Sequence, residues 1–364
     1  MEPQQRDQAK SLSAQVLPVF MTRRYRTVAA VAILLLMLWM YHGFAQRSVV
    51  PLPSHQQFGS QDKADGPALP LTSPPPAPEP TGIPVEKPTT ETHSHLEIPR
   101  KIWQIMLPRD NKGKKQVPDP KVLEDTPSWL IMNPDYEYKL VGEKGADEFV
   151  SQHFADKPAI IETYQGLQNL GMKSDLLRYL ILDVEGGVYT DTDTVDIKPI
   201  DEWIPAHLKG KVGLIVGIEF DRRDGGPWAE IPHWLQFCQW TIAAAPGHPV
   251  FPKMVSHILE AVERYSSAYQ VPVNKLNPTS FEVMNSTGPA AWTDVVFEQL
   301  QEYEPTLKEL KDLSFMTEPK LYGDILVLSI NGFGMGQRHS HSTNDGTIPK
   351  DALMKHLFRG SWRG

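Results

Sequence analysis

Nineteen residues, Thr27 to Ala45, limit every fold open to this chain. The run TVAAVAILLLMLWMYHGFA holds no Asp, Glu, Lys or Arg and has about the length that crosses the hydrocarbon core of a bilayer. Trp39 and Tyr41 near one end suit a membrane–water interface. Arg23, Arg24 and Arg26 stand immediately before the run, Arg6 and Lys10 further back, and only Arg47 lies close behind. That charge bias leaves residues 1–26 as a cytosolic tail and sends Gln46 onward across the membrane. A cleaved signal peptide is the rival, since GFAQ offers small residues at a cut site. The apolar run exceeds a signal core and a long tail precedes it, so 27–45 reads as a signal-anchor helix.

Residues 46–97 are rich in Pro, Ser, Thr and Gly and poor in large apolar side chains. Such a stretch cannot bury enough surface to offset its ordering entropy and reads as a disordered stalk. His93 and His95 within it are read as solvated bystanders. The plan is that of a single-pass type II membrane protein carrying a domain, 98–364, on the far side. A net charge of −8 gives no basic field for nucleic acid, and one cysteine, Cys238, excludes an intramolecular disulfide framework.

Within 98–364 strand-like and helix-like patterns alternate. RKIWQIM, GVYT, VGLIVGIEF and DILVLSI read as strands. In SDLLRYLILDVEGG the positions Leu177, Leu180, Ile181 and Val184 follow helical spacing, with Ser174 as cap, Asp175 in the first turn and Gly186–Gly187 as the stop. FPKMVSHILEAVERY and PAAWTDVVFEQLQEY read as further helices. This alternation predicts one α/β domain with a mainly parallel sheet.

At the end of GVYT comes DTDT, with Asp191 and Asp193 two apart. In an extended chain both would project to one face, where two carboxylates repel unless a cation lies between them. In open α/β sheets such a strand end faces the ligand crevice. Asp175 and Arg178, three apart on the preceding helix, put a carboxylate and a guanidinium at the same crevice. A divalent cation and a guanidinium suit a diphosphate leaving group. An EF-hand loop is excluded, because Asp196 stands where glycine is required and Pro199 interrupts. A haloacid-dehalogenase-like phosphatase is the second reading of DTDTV, although a helix and two glycines precede the motif and GDILVL lacks the later Asp. The bland reading of a lone D-x-D is a solvated strand end.

KSDLLRYLILDVEGGVYTDTDT, with IPRKIWQIML before it, NSTGPAAWTD after it and HLFRGSW near the end, resembles glycosyltransferase family 32 and its fungal initiation-specific α-1,6-mannosyltransferase branch. The match runs from about Ile98 to Trp362 in family order. The resemblance implies a GT-A-type, Rossmann-like mixed sheet flanked by helices, GDP-mannose as donor, Mn²⁺, and retention of the α configuration. It implies Asp193 as direct metal ligand, Asp191 at the metal's water or the ribose, and Asp175 with Arg178 on the donor sugar and diphosphate. Trp103 is implied as a stacking partner for the base, with a core role as the equal alternative. His356 would complete the metal shell, and Ser361 and Trp362 would reach the diphosphate. Imidazole beside carboxylates suits Mn²⁺ better than Mg²⁺. His339 and His341, in a glycine-rich stretch, compete for the ligand role or close over the donor.

The acceptor implied is a high-mannose N-glycan on secreted glycoproteins, and the location the Golgi membrane with the catalytic domain luminal. A glycolipid acceptor, or a subunit role in a mannan-elongating complex, are the alternatives within the family. Asn285 lies in an N-glycosylation sequon but abuts the GPAAWTD segment, which predicts that it stays unmodified.

Overall fold

The computed structural model describes residues 97–108, 110–111, 114–115, 120–228, 231–338 and 340–359. The expected tail, membrane anchor and nearly all of the stalk lie outside these residues, as do His339, Ser361 and Trp362. Among the described residues no helix is long and apolar enough to cross a membrane.

In chain order the strands are β1 (Lys101–Ile105), β2 (Asp110–Asn111), β3 (Lys114–Lys115), β4 (Glu137–Val141), β5 (Gly187–Thr190), β6 (Thr194–Asp196) and β7 (Leu214–Val216). They continue with β8 (Ile218–Asp221), β9 (Leu235–Phe237), β10 (Thr241–Ala244), β11 (Lys320–Tyr322), β12 (Ile325–Val327) and β13 (Met354–His356). The α-helices are α1 (Thr126–Met132), α2 (Glu143–His153), α3 (Pro158–Gly166), α4 (Leu170–Glu185), α5 (Val250–Tyr269), α6 (Ser280–Ser286), α7 (Pro289–Tyr303) and α8 (Ile330–Gly334).

A seven-stranded sheet in the order β11-β12-β7-β10-β5-β1-β4 forms the centre. Its burial follows the two-residue period of strands. Trp103, Tyr189, Leu214, Val216, Ile242, Ile325 and Val327 face a large core shared with α4, α5 and α7. Ile102, Val188, Ile215, Ala243 and Leu326 face a smaller core that holds Trp129, Trp203 and Phe333. Helix α4 carries Leu176, Leu177, Leu180, Ile181 and Leu182 with no solvent exposure, each stabilising the fold by roughly 2 kcal/mol.

The sheet is mixed rather than mainly parallel. β1 pairs parallel with β4 and β5, and β12 with β7, whereas β10 runs antiparallel to both β5 and β7. The reason is the hairpin between them. β8 and β9 pair antiparallel, so the chain that leaves β7 through Gly217 is turned back before Cys238–Trp240 lead it into β10.

VGLIVGIEF is two strands, not one. At Gly217 the chain leaves the central sheet, and Phe333 packs so closely there that a Cβ would meet its side chain at 2.6 Å. β7 stays in the sheet, and β8 pairs instead with β9 in a separate hairpin. Helix α4 also begins a turn earlier than the spacing suggests. Asn169, not Ser174, caps it by accepting from the Met172 amide at 3.1 Å. Asp175 therefore lies in the second turn, away from the positive helix end, and its charge is balanced by side chains. The stop is as read: Gly186 and Gly187 have φ of 60° and 99°, and a Cβ on Gly187 would come within 2.7 Å of the Lys101 carbonyl.

Candidate active site

β5 ends at Thr190, and Asp191–Asp193 form a turn into β6 rather than continuing as extended chain. The turn is pinned by its own backbone. The Asp191 amide donates to the Trp240 carbonyl at 2.8 Å, and the Asp191 carbonyl accepts from Thr194 Oγ1 at 2.6 Å and Gln104 Nε2 at 3.2 Å. The motif thus sits just past the carboxyl end of a central strand, at the edge where α/β sheets place ligands.

Asp193 is held from the far end of the sequence. β13 pairs antiparallel with β6, His356 opposite Thr194. This brings His356 Nε2 to 3.1 Å from one Asp193 oxygen, while the Arg359 amide donates to the other at 2.9 Å. Burial alone would raise the Asp193 carboxyl, but the His356 and Arg359 contacts outweigh it and hold it below the usual carboxylate range. The His356 ring stacks on Trp240 at 4.7 Å, and its Nδ1 is buried without a partner. One ligand atom each from Asp191, Asp193 and His356 lies within 4.8 Å of the others. Two carboxylates and an imidazole so placed fit a divalent metal ion.

Behind this group lies a buried polar network. Arg178 and Asp175, both 5% exposed, pair at 2.8 Å. Arg178 also donates to the Gln239 carbonyl at 2.9 Å, lies 3.7 Å from Asp191 Oδ1, and rests on the Tyr189 ring, 4.6 Å from its centroid. Burial would lower its pKa, but Tyr189, Asp175 and Asp191 more than compensate, so it stays charged. Its Nε is buried and unpartnered. Tyr189 Oη donates to Asp191 Oδ1 at 2.5 Å. Asp175 accepts further bonds from Gln239 Nε2 and Thr287 Oγ1, both at 2.8 Å. Burial pushes its carboxyl up to about 6 against the pull of Arg178, Thr287 and Gln239. With both oxygens engaged by protein donors, Asp175 orients Arg178.

The network contains residues that spacing did not reveal: Gln239, Thr287, Tyr179 and Tyr189. Thr287 is the hydroxyl of the sequon at Asn285, fully buried against Asp175. Glu219 on β8 was also missed. It is bonded by Gln236 at 3.0 Å, and burial pushes its carboxyl up to about 7, with Gln236 and His356 pulling it back.

Trp103 lies where its core alternative places it. Its odd position on β1 turns it into the helix-side core, where Nε1 donates to the Gly186 carbonyl at 2.9 Å. His341 stands outside the Asp–Asp–His group and packs against the β8–β9 loop, where a Cβ on Gly225 would lie 3.1 Å from its Nε2.

Residues 120–208 match the family described as the glycosyltransferase sugar-binding region containing a DXD motif. The chain is 35% identical to an initiation-specific α-1,6-mannosyltransferase of Schizosaccharomyces pombe, over 75% of this chain and 66% of that one, so it spans about two thirds of that relative's length. It is 34% identical to the protein of the same description from Candida albicans, over 73% of this chain and 72% of that one. A Saccharomyces cerevisiae protein described as a putative glycosyltransferase is 32% identical, over 74% and 66%. Among solved structures, the PaToxG glycosyltransferase superposes with a TM-score of 0.38 at 18% identity, covering 57% of this chain and 72% of that one.

Proposed function

The chain belongs to the family of glycosyltransferases whose sugar-binding region contains a DXD motif, and from that premise we propose that it transfers mannose from GDP-mannose to a high-mannose N-glycan. The product is an α-1,6 linkage formed with retention, and the enzyme is a type II protein of the Golgi membrane with its catalytic domain luminal. The observation that carries the reading is the Asp191–Asp193–His356 group beside the buried Arg178. The names of the relatives supply mannose and the linkage. The phosphatase alternative is set aside, because the family to which the chain belongs is one of glycosyltransferases.

In this reading Asp191, Asp193 and His356 hold a Mn²⁺ ion, which when bound neutralises charge developing on a departing diphosphate. Arg178, locked by Asp175 and the Gln239 carbonyl, presents a fixed guanidinium to the same charge without reorganising during reaction. Ser361 and Trp362 are assigned to the diphosphate by motif. For retention we favour a front-face route, in which the acceptor hydroxyl gives its proton to the leaving phosphate oxygen as the new glycosidic bond forms.

The test offers the full-length chain GDP-mannose with a core high-mannose glycan or a short α-1,6-mannan, with and without Mn²⁺, and maps the linkage formed. One α-1,6-mannose on the core glycan, dependent on metal and lost in Asp193→Ala, is the expected result. Transfer only to the short mannan would move the chain to the elongation role. Preference for another nucleotide sugar would overturn the donor.

A further inference from the structure

The β8–β9 hairpin rises from the edge of the sheet that carries Asp191. β10 is antiparallel to both β5 and β7, so the chain leaving β7 and the chain entering β10 emerge together past the end of β5. Gln239 and Trp240, at the foot of the hairpin, touch Arg178 and His356. Glu219 and Gln236 come next along it, and Asp221 and Trp234 lie beyond. Trp234 lies six positions before Trp240, a reach of at most roughly 20 Å.

At that outer end one buried carboxylate holds two residues in a conformation that side chains avoid. Asp221 is 2% exposed. It accepts from the Phe315 amide and Ser314 Oγ at 2.8 Å, from the Arg223 amide at 3.2 Å and from Arg223 Nε at 3.4 Å. Arg223 and Phe315 have φ of 48° and 62°. Strain of this kind at a bulky residue survives only where the surroundings fix it, and it concentrates at binding sites. Phe315 is 54% exposed, with the Arg223 guanidinium 5.6 Å from its ring centroid. Beside them Arg222 and Lys311 flank the Trp234 ring, which is tied to Ser314 by its Nε1–H. A loop pin needs Asp221 and Ser314, and glycine would take the left-handed position without strain. The exposed ring is left unexplained by packing.

We propose that Phe315 and Arg223, held by Asp221, form a distal saccharide subsite that reads the acceptor several sugars back from the reacting hydroxyl. The inference rests on the glycosyltransferase reading above. The C–H face of a pyranose lies on an aromatic ring while its hydroxyls accept from a guanidinium. The placement on a wall continuous with the candidate active site selects an oligosaccharide longer than a disaccharide.

The test is binding, measured by calorimetry on the full-length chain with a linear mannose tetrasaccharide and with mannobiose. The parent binds the tetrasaccharide more tightly. Phe315→Gly weakens tetrasaccharide binding by about threefold to tenfold, leaves mannobiose binding as it was, and melts no lower than the parent because the strain is relieved. Phe315→Tyr keeps the parent's affinity. Tetrasaccharide affinity in Phe315→Gly equal to the parent's, or a parent that does not distinguish the two sugars, overturns the subsite. A chain that shows Phe315-dependent binding yet transfers no mannose supports the subsite and defeats only the proposed donor chemistry.

Discussion

Asp193 draws both of its side-chain partners from residues more than 160 positions away. That distance explains what was legible. Asp191, Asp193, Asp175 and Arg178 lie within one segment, and the crevice that joins them follows from local pattern alone. Gln239 and Thr287 reach Asp175 from 64 and 112 residues away, and no spacing announces such contacts. His356 was reached through a motif and not through geometry. We expect His356→Ala to weaken Mn²⁺ binding by about an order of magnitude or more in a direct metal titration, and His341→Ala to leave it unchanged. The reverse pattern would move the imidazole ligand to the loop. A second expectation concerns Glu219, whose carboxyl is raised by burial from an ordinary 4.5 to about 7. The folded state holds this proton more tightly than the unfolded chain does. Its stabilising contribution is therefore present below about pH 4.5 and is lost as pH rises towards 7, by up to about 3 kcal/mol. Glu219→Gln should flatten that part of the stability profile and raise stability at neutral pH. A denaturant series across that pH window checks it, and an unchanged slope would mean that the group is solvated.

At the scale of elements, the two-residue alternation of β1 decides the fate of Trp103. Ile102 faces one core and Trp103 the other. The short apolar strand was readable from KIWQI, but which face would meet helices depended on the sheet's neighbours, which sequence spacing does not contain. Similarly, α5 and α7 were legible because their apolar stripes repeat over many turns, whereas the break at Gly217 packs against Phe333, more than a hundred residues on. Trp103→Phe tests the core role. It removes the indole N–H and leaves the buried Gly186 carbonyl without that partner, so the domain should lose about 1–3 kcal/mol of stability. KM for the nucleotide sugar should remain at the parent's value. A raised donor KM with unaltered stability would restore the base-stacking role.

The whole molecule poses a question of division. Every group of the candidate site, from Gln104 to Arg359, lies in the single unit Glu86–Gly364. Among the described residues, the central sheet and both cores are built from Ile98 onward. We propose that chemistry and membrane attachment belong to separate parts of the chain, with the stalk setting reach. A chain beginning at Glu97 should accordingly be soluble without detergent and transfer sugar to a free oligosaccharide with the kcat and KM of the full-length protein. Its thermal transition should be cooperative and rise on adding Mn²⁺ with a guanosine diphosphate, since ligands that bind only the folded state stabilise it. A truncated chain that folds and binds metal yet is inactive would place part of the catalytic machinery before Glu97. One that is active on a free glycan but slow on membrane-bound glycoprotein would instead show the stalk and anchor acting on encounter, by holding enzyme and acceptor at one surface.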